Sequence, residues 1–181
     1  MSVGIADEIK KMVRSDGKKT VDQYLNEVNY QWLNDGSYVP STFALNMVNF
    51  IKLVEGDSTT NDPSPVVHMA MLDKIAGPKS RVANLCARGL GKTTLMIEYL
   101  FFYIAVFGGI DGFGEITGMI YVSDSMENGV KSARKNIEFR YNASEFLQHW
   151  LPRETMIFTD AYLETVNRDG HKLGMKMFGA K

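Results

Sequence analysis

The sequence predicts an α/β fold, a sheet with parallel strands layered between helices, preceded by a helical appendage. Three observations predict it. An apolar run at residues 82–85 passes through the turn Ala87-Arg88-Gly89-Leu90-Gly91-Lys92-Thr93-Thr94 into a long apolar run at residues 95–107, the order strand, tight turn, helix. A second apolar and β-branched run at residues 116–122 reads as a buried strand, and a helical pattern over residues 126–141 follows it. Residues 162–166 and 172–178 flank Asn167-Arg168-Asp169-Gly170, where Asp-Gly marks the turn of a hairpin.

Taken in order, residues 5–13 suit a short helix. Thr20 and Gln23 have capping-box spacing, and Val21, Tyr24, Leu25, Val28 and Trp32 then share one helical face until Asp35-Gly36 ends it. Ser41 can cap a further helix in which Phe43, Met47, Phe50, Ile51 and Val54 line a face, with Gly56 closing it. These helices divide the chain into an appendage at residues 1–56, a polar linker at 57–65 and a core from 66 onward. Residues 66–75 suit a short helix just upstream of the first strand. Residues 108–114 are a glycine-rich loop, residues 143–151 one or two helical turns stopped by Pro152, and residues 155–159 a short strand. On the helix at 126–141, Lys131, Arg134, Lys135 and Glu138 share the polar side. That is a solvated face laced with ion pairs, or a stripe facing DNA.

Composition narrows the function. With 181 residues the chain suits one domain with a small appendage, and 45% apolar content can fill a core. A formal net charge of −1 argues against coating nucleic acid by bulk charge, though not against a local basic face. One cysteine excludes an internal disulfide and suits a reducing cytosol. The polar, lysine-rich start has no apolar core of the secretory kind, and the apolar stretch at 95–110, interrupted by Glu98, is short for a bilayer.

The turn carries the chemistry. Backbone N–H groups of a glycine turn and of the first helical residues converge on one point, and the helix dipole adds positive potential there. Phosphate loops follow Gly, four residues, then Gly-Lys-Ser/Thr. Here Gly91, Lys92 and Thr93 match, while Cys86 stands where the first glycine would be. Gly89, Leu90, Gly91, Lys92, Thr93 and Thr94 would hold the phosphates of ATP. Lys92 would reach the terminal ones and the Thr93 hydroxyl would ligate Mg²⁺. The bland reading is a chance Gly-Lys-Thr at a helix start. His68, in the lead-in helix, is a candidate on the adenine side or a packing histidine.

At these residues the chain resembles a family. NLCARGLGKTTLMIEYLFFY is similar to the phosphate-loop strand and helix of tailed-bacteriophage terminase large subunits, the ATPases that pump DNA into capsids. GMIYVSDSMENGVKSARKNIE resembles the strand and helix that follow in that family, and ETVNRDGHKLGMKMFGAK the hairpin that precedes its Walker B strand. The resemblance covers roughly residues 40–181. It implies a P-loop NTPase core of three layers, α/β/α, incomplete within these residues, with 116–122 an outer strand. It also implies ATP and Mg²⁺ as cofactors, and Arg88 as a nucleotide ligand and possible arginine finger in cis. The implied partners are double-stranded DNA, a portal protein and a small terminase subunit. A homo-oligomeric ring and the host cytoplasm are implied for the complete protein, with no membrane role.

One feature departs from the family pattern. Hydrolysis needs a Mg²⁺-binding Asp and a water-orienting Glu at the end of an apolar strand. Asp124 and Asp160 each follow an apolar run but have no acidic neighbour. The resemblance therefore places the Walker B strand after Lys181 and makes the chain the N-terminal portion of a longer ATPase. A helicase-like or other P-loop ATPase shares the same core motif. A non-catalytic module docking through its N-terminal helices is the alternative from a different class.

Overall fold

The computed structural model describes residues 36–56, 64–77, 79–84 and 89–180. The helices expected at 5–13 and 20–32, most of the linker, Leu85, Cys86 and Arg88 lie outside the described residues. The chain divides into two compact units, Met1–Val39 and Pro40–Lys181, and the described elements belong to the second. It is mixed α/β.

Helix α1 (Thr42–Glu55) begins where expected, with the Ser41 side chain accepting from the Ala44 N–H at 3.2 Å. Phe43, Met47, Phe50 and Val54 are buried, and Gly56, at φ +60°, returns its N–H to the Lys52 carbonyl. The sequence assigned this helix to the appendage. It packs instead in the same unit as the core, because its apolar face is buried against the central helix, Phe43 and Phe50 each meeting Tyr103 edge-on at 5.5 Å. The Ser41 hydroxyl also donates to Asp73 of α2 (Val66–Ile75) at 2.5 Å, pinning the two helices together.

The central helix starts at Lys92, runs through a π-helical stretch (Thr94–Tyr99) and continues as α3 (Leu100–Phe107). Every α3 residue but Phe107 is buried, as expected of a helix apolar all round. Strands β1 (Gly109–Ile110) and β2 (Gly114–Glu115) follow as a small antiparallel ribbon, so the glycine-rich loop is ordered into a hairpin.

Next come β3 (Gly118–Ser123), a π-helical turn (Met126–Val130), α4 (Lys131–Ala143) and α5 (Glu145–Trp150). Strands β4 (Ile157–Phe158), β5 (Tyr162–Val166) and β6 (Lys172–Gly179) complete the order. The sheet reads β3-β6-β5-β4, with β3 parallel to β6 and the other pairs antiparallel. The expected 162–178 hairpin is there. On α4's solvent side, Lys131 pairs with Glu127 and Arg134 with Glu138, both four residues apart, the pattern of a solvated face.

Two strand expectations are corrected. Residues 82–84 are irregular, with Arg81, Val82 and Ala83 exposed, and no strand among the described residues pairs with them. The strand at 116–122 is not buried on both sides. Among the described residues it lies at the sheet edge, exposure alternates along it, and Ile120 and Val122 face solvent. Among the described residues helices cover one face of the sheet, the one carrying Leu163, Leu173, Met175 and Met177, so two layers are seen rather than three. No helix of the described residues is long and apolar enough to cross a membrane.

Candidate phosphate-binding turn

Residues 89–94 form the turn that the sequence singles out. Gly89 and Gly91 both have positive φ, +91° and +64°, a conformation that side chains disfavour. They flank Leu90 and bend the chain straight into the central helix. Lys92 and Thr93 are its first helical residues, and the Leu95 N–H closes onto the Gly91 carbonyl at 2.8 Å. Leu95 is buried and anchors the turn to the core, while Thr93 is exposed and Lys92 and Thr94 are half-buried. The first amides of a helix have no partner within it, and the dipole makes that end positive. The π-helical stretch widens the backbone immediately after the turn, a distortion often found beside functional sites.

His68 joins this turn. α2 begins after Pro65, whose fixed φ suits a helix start, and its first turn presents His68. The His68 Nε2–H donates to the Leu90 carbonyl at 2.8 Å, leaving Nδ1 as the acceptor. A Cβ on Gly91 would lie 3.8 Å from the imidazole ring, so the histidine packs directly on the turn. Two candidates far apart in sequence are thereby brought together. Arg88 lies outside the described residues.

Behind the turn the helix carries a polar network that the sequence shows only as an interruption. Glu98 is buried and accepts from Asn136 Nδ2 at 3.1 Å and Arg140 Nε at 3.0 Å. Arg140 also bonds Glu55 and the Tyr99 hydroxyl, and its guanidinium lies 4.3 Å from the centre of the Tyr99 ring. Burial, with the bond to Glu55, pushes the Tyr99 phenol well above its ordinary range. The network ties α1, the central helix and α4 together at the level of the turn. Its signal in the sequence was a lone acid within an apolar run, which announces a buried partner without saying which.

ATP fits the chemistry of the turn, which offers flexible glycines, helical amides, a lysine and a hydroxyl. For Mg²⁺ the described part of the turn offers the Thr93 hydroxyl. No group of three or more His, Cys, Asp or Glu able to hold a metal occurs among the described residues. An ion bound there would therefore depend on phosphate and water oxygens, as Mg²⁺ sites with nucleotides commonly do. Asp124 stands exposed just past β3, accepting from the Ser123 hydroxyl at 3.0 Å, and Asp160 is exposed before β5. Comparison of the chain with protein-family models, with characterised proteins and with solved structures returns no match.

Proposed function

We propose that residues 89–94 bind the phosphates of ATP, and that the chain is the ATP-binding part of a viral DNA-packaging motor of the terminase large-subunit kind. One observation carries the first half. Two left-handed glycines deliver the backbone into a helix whose first residues are Lys92 and Thr93, while His68 engages the intervening Leu90 carbonyl. That carbonyl already carries a hydrogen-bond donor, which reduces its repulsion of an incoming anion. Lys92 then supplies a positive charge and Thr93 a hydroxyl for the metal.

The motor assignment rests on the resemblance of the turn, the following strand and the hairpin. β3 lying parallel to β6 is compatible with it. In this reading Arg88 stabilises charge on the γ-phosphate, the complete protein assembles as a ring on a portal in the host cytoplasm, and hydrolysis is coupled to movement of double-stranded DNA. Calorimetric titration of the chain with ATP, with and without Mg²⁺, tests the site. Saturable binding strengthened by Mg²⁺ is expected, and absence of binding under both conditions contradicts the assignment.

A further inference from the structure

An open cavity of about 890 Å³ lies between α1 and the β1–β2 ribbon, away from the phosphate turn. Its floor is aromatic. Phe50, Tyr103 and Phe107 meet there, with ring centres 4.8 to 5.8 Å apart, and Phe107 is 58% exposed although the rest of its helix is buried. Its rim is acidic. Asp111 and Glu115 line it, and none of the described lining residues is lysine or arginine. The central helix ends in it, at Phe107 and Gly108, so the negative end of the helix dipole adds to the same potential.

His171 supplies an independent pointer. It lines the cavity with its side chain only 9% exposed, and Nδ1 pairs with Glu115 Oε1 at 3.1 Å. Nε2 is buried without a hydrogen-bond partner. The proximity of Asp111 is felt at Tyr103, whose phenol it helps to raise, after burial.

We infer that this cavity is a docking groove for an arginine-bearing segment of a partner protein. These features favour a cation rich in N–H donors: the carboxylates of Asp111 and Glu115, the negative end of the helix dipole and the exposed ring of Phe107. Arginine suits these better than lysine, because its planar guanidinium stacks on rings while donating in several directions. The volume accommodates a short stretch of extended chain rather than one side chain. The same negative potential opposes a phosphate backbone, so nucleic acid is disfavoured here.

The test is fluorescence anisotropy of the full chain with a labelled peptide of about ten residues that alternates glycine and arginine. Matched peptides carry lysine or citrulline, and a labelled DNA duplex is run separately. Saturable binding of the arginine peptide is expected, weakened at least about tenfold by Asp111→Asn with Glu115→Gln, in line with the loss of charge complementarity. A control pair, Glu145→Gln with Glu154→Gln, removes the same charge elsewhere and should leave binding unchanged. Citrulline should abolish binding, and lysine should weaken it. The inference is overturned by absence of saturable binding, by equal loss in the control pair, by equal affinity for the lysine or citrulline peptide, or by duplex binding that the groove variants reduce.

Discussion

Asn167 shows at the scale of one residue how much the folded chain adds to its sequence. It reads as the first residue of a turn, and it is: Oδ1 accepts from the Asp169 and His171 N–H groups at 3.0 and 2.9 Å. It is also buried, and Nδ2 donates to the Ala105 and Val106 carbonyls at 3.1 and 2.9 Å, satisfying the last turn of the central helix. Asn167→Ala strands two buried carbonyls and frees two N–H groups of the turn, and should cost about 2–4 kcal/mol, read as a fall in denaturant midpoint without a change in slope. Asn167→Asp keeps the turn acceptors but sets a carboxylate against two carbonyls, so it should be no better tolerated. Glu98 makes the parallel case. Glu98→Ala removes the buried acceptor shared by Arg140 and Asn136, Arg140 keeping Glu55, and should destabilise by about 1.5–3 kcal/mol, whereas Glu98→Gln, retaining an oxygen, should cost less. Neither partnership was legible, since both join residues distant in sequence.

Elements were legible to the degree that their determinants are local. The Ser41 cap, the Gly56 stop and the apolar spacing between them define α1, and the Asp-Gly turn defines the β5–β6 hairpin. Ser41→Ala should lower stability by about 1 kcal/mol through the cap, and somewhat more through loss of the bond to Asp73, measured by thermal or chemical unfolding. The strand expected at 82–85 fails for the complementary reason. A strand exists only through a neighbour, and residues 82–84 have none among those described. The glycine-rich stretch was read from composition as a loop, yet Gly109 pairs so closely that an added Cβ would fall 2.2 Å from the Gly114 carbonyl oxygen. The glycines serve close backbone approach there, and Gly109→Ala should disrupt the ribbon and the cavity beside it.

At the scale of the whole molecule, the α/β class was legible, but the number of layers was not. One face of the sheet is packed, while Ile120, Val122 and Phe178 stand on the other with Lys176 among them. An exposed apolar face on β3, which ends the sheet among the described residues, favours association between copies. The chain should therefore self-associate with rising concentration, as read by light scattering, and Ile120→Lys with Val122→Lys should suppress this while leaving the melting temperature nearly unchanged. Equal scattering from the variant would locate the association elsewhere. The juxtaposition of His68 with the glycine turn also belongs to this scale. Sequence named both candidates, and only the packing of α2 put the ring on the Leu90 carbonyl. His68→Ala should weaken nucleotide binding several-fold, near the ~1 kcal/mol of a net hydrogen bond, and His68→Gln should recover part of it.

The central claim is that the turn at 89–94 binds a triphosphate, and the ATP affinity of Lys92→Ala relative to the unaltered chain, measured by calorimetry in Mg²⁺, tests it most directly. The account predicts a loss of more than tenfold, about 1.4 kcal/mol or more, with unfolding unchanged. Equal affinities for the two proteins would contradict it.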